Sequence, residues 1–82
     1  MKAVLYTIDG CATCNQTKAH LIQHHVPFIE KNLFTDGGAA SELEKIVGEV
    51  VTPVFVYGSV VLKGKDILAT ENFRALSQFG GQ

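Results

Sequence analysis

The order of apolar segments and chain breakers near the N-terminus constrains the fold more than any other feature of the sequence. Ala3 to Thr7 is almost wholly apolar, as in a strand buried on both faces, and Asp9-Gly10 ends this run. Residues 12 to 25 lack Gly and Pro and predict a helix that ends at Val26-Pro27, because the residue before proline is pushed out of helical geometry. Phe28 to Leu33 predicts a second strand. This order makes the two strands parallel, with a right-handed crossover.

The segment after the second predicted strand favours a short helix. Asp36-Gly37-Gly38 predicts a turn in which Asp36 caps the helix, and Gly48 ends it. In the first helix, Ile22 is expected near the same face as Cys14 and Leu21. In the second helix, the positions predicted to face inward are Ala39, Ala40, Leu43, Ile46 and Val47. The aromatic residues predicted for the core or its rim include Phe28, Phe34 and Phe55.

The rest of the chain predicts a hairpin and one further helix. Pro53 precedes a third strand, Val54 to Tyr57, and the Gly58-Ser59 turn joins it to a fourth strand, Val60 to Leu62. A final helix is predicted to begin at Thr70 and to pack through Phe73 and Leu76. The predicted fold class is therefore α/β, in the order βαβαββα, with a four-stranded mixed sheet flanked by helices.

Size and charge limit the classes of function. The 82 residues predict one domain, residues 1–82, because so short a chain cannot form two separate cores. A net charge of −1 without any basic run argues against nucleic-acid binding. Apolar runs reach only about four residues, against the ~18 of a membrane span. Without a signal-peptide pattern, we expect a cytoplasmic monomer that binds neither membrane nor nucleic acid.

The two cysteines, Cys11 and Cys14, lie three positions apart at the start of the first predicted helix. A structural disulfide over so small a loop removes little entropy from the unfolded chain. Zinc prefers four ligands, and the histidines lie late in the helix. Cys14 and His24 are ten residues apart, or ~15 Å along a helix, so one chain cannot close such a site. A metal bridged between two chains stays open.

Redox chemistry suits the pair best. Cys11 lies where a loop enters a helix, so free backbone N–H groups and the helix dipole favour its thiolate. The pKa of a cysteine in such C-x-x-C pairs falls to ~3.5–7.5, from ~8.5 for a free thiol. Cys14 lies one turn further along the same helix face. The pattern therefore predicts thiol–disulfide exchange.

The order strand, C-x-x-C, helix, strand, helix, followed by Val51-Thr52-Pro53 before a hairpin, resembles the thioredoxin superfamily. The short form resembles a glutaredoxin or a glutaredoxin-like redoxin. The resemblance implies that Cys11 attacks and Cys14 resolves. It also implies that Pro53 follows a cis peptide bond and faces the cysteines, and that the Thr52 backbone pairs with an extended substrate strand. Thr13, at the mouth of the pair, is a candidate contact in the substrate groove.

Several positions depart from the usual glutaredoxin pattern. Ala12-Thr13 replaces the usual Pro-Tyr, and Ile8 and Asp9 replace the usual Lys and Pro before the first cysteine. Asp9 is predicted to hold the pKa of Cys11 above the low end of the family's range. The stretch that receives a glutathione carboxylate in the family corresponds to Lys63 to Ile67. Cys14 to Lys18 is similar to the redoxins that supply electrons to ribonucleotide reductase and are recycled by thioredoxin reductase.

These features predict a dithiol–disulfide oxidoreductase with Cys11 and Cys14 as catalytic residues and Thr13, Thr52 and Pro53 at the substrate. No bound cofactor is implied, and glutathione or a thioredoxin reductase supplies the electrons. The expected partners are a disulfide-containing protein and the reductant. Two alternatives stay open. One is a dimeric binding module that shares zinc or an iron–sulfur cluster between two chains, and the other is an interaction domain whose thiols are idle.

Overall fold

A computed structural model describes residues 3–68 of the chain. The secondary structure consists of β1 (Val4–Thr7), α1 (Ala12–Gln23), β2 (Ile29–Asn32), α2 (Ala39–Val47), β3 (Val54–Tyr57), β4 (Val60–Lys63) and a short 3-10 helix (Gly64–Leu68). The predicted C-terminal helix, with Thr70, Phe73 and Leu76, lies outside the described residues. Within residues 3–68, no helix is long and apolar enough to span a membrane.

The four strands form one sheet in the order β2-β1-β3-β4. β1 pairs in parallel with β2, while the β1–β3 and β3–β4 pairs are antiparallel, so the predicted mixed sheet is confirmed. The last residues of the two parallel strands, Thr7 and Asn32, are register partners. The loops that leave β1 and β2 therefore begin side by side at one end of the sheet.

The sheet separates two apolar clusters, because successive side chains of a strand point to opposite faces. The face covered by α1 and the 3-10 helix buries Ala3, Leu5, Leu21, Val26, Phe55 and Ile67. The face covered by α2 buries Tyr6, Ala39, Leu43 and Val54. Full burial of one large apolar side chain stabilises a fold by roughly 1.5–3 kcal/mol. Both helices are thus held by the sheet between them.

Helix α1 packs through Cys14, Thr17 and Leu21, which recur at helical spacing. Ile22 was predicted near this face, but it lies on the next stripe around the helix and is 65% exposed. The helix also ends earlier than predicted. A Schellman motif closes it, in which His25 has a φ of 58° and the Val26 N–H donates to the Leu21 carbonyl at 2.9 Å.

Helix α2 begins at a different cap from the one predicted. Gly38 occupies the N-cap position, and the Asp36 carboxylate instead accepts a hydrogen bond from the Gly38 N–H at 3.1 Å, before the helix. Gly48 ends the helix as predicted, with a φ of 82°. Ile46 was predicted to face inward but is 44% exposed, and Phe34 was predicted for the core or its rim but is 68% exposed.

Candidate active site

The loop that leaves β1 delivers Cys11 to the N-terminus of α1. Gly10 has a φ of +81°, which an L-residue rarely adopts, and it lets the chain turn back toward the helix. Cys11 is the N-cap residue, with extended backbone angles. Its Sγ accepts a hydrogen bond from the Cys14 N–H at 3.1 Å. The sulfur therefore takes the position that a serine or aspartate oxygen occupies in an ordinary helix cap.

The two sulfurs differ in exposure. Cys11 is partly exposed, whereas Cys14 is only 1% exposed, and both are free thiols. Of the two cysteines, Cys11 is therefore the one that solvent reaches. The second sulfur is shielded by the fold and is suited to react with its neighbour rather than with solvent.

The pKa of Cys11 is lowered by its hydrogen bonds. Burial acts in the opposite direction, since it disfavours the charged thiolate. Hydrogen bonds from the Cys14 thiol and N–H, from the Thr52 side chain and from the Thr13 backbone outweigh this burial. Asp9 was predicted to hold the pKa of Cys11 above the low end of the family's range, but the groups that shift this pKa are Cys14, Thr52 and Thr13.

The pKa of Cys14 moves the other way. Burial raises it most, and the adjacent Cys11 sulfur raises it further. Interactions with the Ile8 backbone and the Thr52 side chain act in the opposite direction without reversing the shift. At neutral pH, Cys11 therefore carries the larger thiolate fraction while Cys14 retains its proton.

The segment before β3 brings Thr52 to the cysteines. The Thr52–Pro53 peptide bond is cis, as the resemblance implied, and Pro53 is buried. The Pro53 carbonyl accepts a hydrogen bond from the Gly64 N–H at 2.9 Å. The Thr52 side chain acts on both sulfurs, whereas the sequence had suggested a role only for its backbone. A contact across about forty residues of sequence leaves no local pattern by which to find it.

Sequence comparison identifies the family to which this site belongs. Residues 3–62 match the glutaredoxin family. The chain belongs to the glutaredoxin family.

Solved structures with the same thioredoxin-like fold confirm the predicted fold class. The glutaredoxin from Brucella melitensis is 26% identical with a TM-score of 0.73, and the match covers 100% of this chain and 92% of that one. The NrdH-redoxin from Escherichia coli, described as a glutaredoxin-like protein with a thioredoxin-like activity profile, is 24% identical with a TM-score of 0.74 over 93% of this chain and 95% of that one.

A shorter similarity connects this glutaredoxin with regulators. The global transcriptional regulator Spx of Bacillus subtilis is 35% identical over 43 residues, which cover 52% of this chain and 33% of Spx. A second Spx protein, from Bacillus cereus, is 39% identical over 44 residues. The matches thus span about a third of the length of these curated relatives.

Charged side chains around the site of this glutaredoxin are engaged with one another. Lys18, one turn after Cys14, forms an ion pair with Glu30 of β2 at 3.2 Å. The Asp9 carboxylate accepts a hydrogen bond from Asn32 Nδ2 at 2.8 Å. Sequence reasoning missed Asn32 because the partners are 23 residues apart.

The stretch that corresponds to the family's glutathione-carboxylate site has its own partners. Lys63, at the end of β4, forms an ion pair with Glu49 at 3.3 Å. Gly64 has a φ of +54° and begins the 3-10 helix that contains Lys65 and Asp66. A glutathione carboxylate would therefore compete with Glu49 for Lys63.

Within residues 3–68, no group of three or more His, Cys, Asp or Glu side chains could hold a metal ion. This finding concerns a site built by one chain. The alternative in which two chains share a metal through their cysteine pairs needs only two ligands from each chain, and it stays a prediction.

Proposed function

We propose that this glutaredoxin is a dithiol–disulfide oxidoreductase that reduces protein disulfides. The observation that carries the proposal is the N-cap position of Cys11, whose sulfur accepts the Cys14 N–H at 3.1 Å. This position favours the thiolate at a partly exposed sulfur. The buried neighbour, Cys14, stays protonated until the mixed disulfide has formed. The pair is therefore divided into an attacking and a resolving thiol.

The reaction consists of two exchanges. The Cys11 thiolate attacks one sulfur of the substrate disulfide, which forms a mixed disulfide and releases the other substrate sulfur as a thiolate that takes up a proton. Cys14 then loses its proton and attacks Cys11. The mixed disulfide breaks, the substrate leaves as a dithiol, and two electrons have passed to it. The resulting Cys11–Cys14 disulfide is reopened by an external thiol or a reductase.

The groove around the sulfurs positions the substrate in this proposal. The Thr52 side chain, before β3, acts on both sulfurs, and in this proposal the Thr52 backbone pairs with an extended substrate segment. Pro53 is buried next to Thr52, and Thr13, which is partly exposed, lies between the two cysteines in the sequence. These three residues contact the substrate, while Cys11 and Cys14 react with it.

We also propose that a thioredoxin reductase, rather than glutathione, is the main source of electrons. Lys63 is engaged by Glu49, and the tyrosine that flanks glutathione in the family is replaced by Thr13. The stretch from Cys14 to Lys18, which is similar to the redoxins that supply electrons to ribonucleotide reductase, agrees with this choice and makes a ribonucleotide reductase a candidate substrate. In this proposal the protein is a cytoplasmic, monomeric, single-domain reductant without a bound cofactor.

Reduction of insulin tests the activity and the electron source together. Turnover is measured with thioredoxin reductase and NADPH, and separately with glutathione, glutathione reductase and NADPH. We expect turnover in the first assay and at least tenfold less in the second. Equal turnover with glutathione would overturn the proposed electron source but leave the activity in place.

A Cys14→Ser variant tests the order of the two steps. It lacks the resolving thiol, so we expect it to accumulate a mixed disulfide with its partner through Cys11. Cys11→Ser is the matched control and should form no adduct at that position. If neither reductant supports turnover and Cys14→Ser traps no partner, the oxidoreductase proposal is wrong. Metal content and visible absorbance then test the metal-bridged dimer.

The similarity to Spx favours a second candidate, a regulatory module that responds to oxidation. In such a module the same two cysteines would form a disulfide that changes the affinity for a partner protein, without repeated turnover. The two candidates are distinguished by catalysis. A regulatory module would oxidise stoichiometrically and reduce insulin no faster than an equal concentration of a small dithiol.

A further inference from the structure

The side chain of Asn32, the last residue of β2, links two loops at the active-site end of the sheet. Its Nδ2 donates to Asp9 Oδ1 at 2.8 Å, in the loop that leads from β1 to Cys11. Its Oδ1 accepts from the Phe34 N–H at 2.9 Å, in the loop that leaves β2. Because the donor and the acceptor of the amide are both used, its orientation is fixed.

The position of Asp9 in the chain makes the orientation of its carboxylate important. Asp9 is exposed and lies two residues before Cys11. A carboxylate close to a thiol disfavours the thiolate. Gly10, which separates the two residues, is the residue type with the widest choice of backbone angles, so it does little to hold the loop by itself. A fixed contact at Asp9 is therefore needed to keep the carboxylate in one place.

Asn32 is also held firmly from its own side. It is paired in register with Thr7, and the Leu33 N–H that follows it donates to the Thr7 carbonyl at 2.8 Å. The Asn32 carbonyl accepts the Asp36 N–H at 2.8 Å. The amide thus projects from a hydrogen-bonded strand end toward the loop that leads to Cys11.

We propose that Asn32 is a positioning residue, whose hydrogen bond holds the Asp9 carboxylate away from the sulfur of Cys11. The inference rests on the proposed function, in which Cys11 is the attacking nucleophile. It requires an N–H donor at position 32, because a carboxylate or a hydrocarbon there cannot donate to Asp9. It requires only an acceptor at position 9.

The test is the rate at which iodoacetamide alkylates Cys11 at pH 7 in the reduced full-length chain, with the modified cysteine located by tandem mass spectrometry. Four chains are compared: the unchanged chain, Asn32→Ser, Asp9→Asn and the double variant. Asn32→Ser supplies a hydroxyl that can accept the Phe34 N–H in place of the amide oxygen but is too short to reach Asp9. We expect Asn32→Ser to react about threefold more slowly, since the freed carboxylate opposes the thiolate.

The other two variants separate the charge from the structure. Asp9→Asn keeps the acceptor and removes the charge, so its rate should equal that of the unchanged chain. The double variant has no carboxylate to release and should also return to that rate. Lys31→Gln is the matched control. Lys31 lies next to Asn32 on β2, but its side chain points to the opposite face of the sheet, where the substitution breaks an ion pair with Glu42 of α2.

An unchanged rate in Asn32→Ser, or a slow rate that persists in the double variant, would overturn the proposal. If Asn32→Ser does not fold, Asn32→Thr replaces it, since threonine also offers a hydroxyl that can accept the Phe34 N–H, is too short to reach Asp9 and adds no charge. Alkylation requires neither a substrate disulfide nor a reductase. If the unchanged chain does not reduce insulin, the proposed function is refuted, while the effect of Asn32 on the alkylation rate of Cys11 can still be measured.

Discussion

At the scale of single residues, the site depends on unequal thiols. Cys11 and Cys14 have the same side chain, and the fold alone lowers the pKa of one and raises that of the other. The backbone N–H of Cys14 stabilises a thiolate on Cys11, and burial disfavours a thiolate on Cys14 itself. An attacking thiol benefits from ionisation near ambient pH, whereas a resolving thiol must wait for the mixed disulfide.

Thr52 contributes to this difference through its hydroxyl. Thr52→Val keeps the shape of the side chain and removes a hydrogen bond that favours the thiolate of Cys11, so the pKa of Cys11 should rise. The alkylation of Cys11 at pH 7 should therefore slow by about three- to tenfold. This range corresponds to about 1.5 kcal/mol or less for a partly exposed hydrogen bond to a charged group. The half-maximum of the alkylation rate should move to higher pH.

The pH profile of Cys11 alkylation checks this expectation, with Ser41→Ala as the control. Ser41 is an exposed hydroxyl on α2, far from the sulfurs along the chain. Its removal should leave the profile unchanged. A Thr52→Val profile that coincides with that of the unchanged chain would assign the lowered pKa of Cys11 to the Cys14 thiol and the backbone N–H groups of α1 without Thr52.

At the scale of secondary structure, glycines place the ends of elements. Gly48 ends α2 with a φ of +82°, and its N–H donates to the Glu44 carbonyl at 2.8 Å. Gly48→Ala should lower the free energy of unfolding by about 1 kcal/mol, because an L-residue is strained in the left-handed region. Urea denaturation followed by circular dichroism measures this loss.

Gly37→Ala, at the other end of α2, is the matched control for Gly48. A Cβ at position 37 meets no atom within 4 Å, and Gly37 does not have a positive φ. Its replacement should therefore change the free energy of unfolding by no more than about 0.5 kcal/mol. If the two variants lose the same free energy of unfolding, the left-handed conformation of Gly48 does not explain its contribution to stability.

The sequence predicted these elements well where local chemistry decides them. The Gly58-Ser59 turn predicted the hairpin, and the position of the cysteines predicted that Cys11 lies at the start of α1. The errors fall where tertiary packing decides. Thr17 takes a buried position on α1 that an apolar residue would be expected to fill, so Ile22 was wrongly assigned inward. The Asp9–Asn32 contact depends on two strand ends meeting, which no local pattern specifies.

At the scale of the whole molecule, the sheet lies between the helix that carries the cysteines and the apolar cluster under α2. The cysteines lie at the start of α1, which covers one face, while α2 packs its own cluster on the opposite face. The site is assembled from the start of α1 and the segment before β3. Stability and reactivity should therefore respond separately to substitutions on the two faces.

Leu43→Ala tests this separation. Leu43 is fully buried on the α2 face, and its truncation should lower the free energy of unfolding by about 2–5 kcal/mol, a large part of the roughly 5–15 kcal/mol of a small domain. At a temperature where the variant is still folded, the alkylation rate of Cys11 should match that of the unchanged chain.

Ile46→Ala is the control, because Ile46 lies on the same helix but is 44% exposed. This substitution should lower the free energy of unfolding by less than about 1 kcal/mol. Thermal unfolding and alkylation are measured on the same samples. A slower Cys11 in folded Leu43→Ala would mean that the α2 face helps to set the geometry of the active site, and that the sheet transmits packing changes from one face to the other.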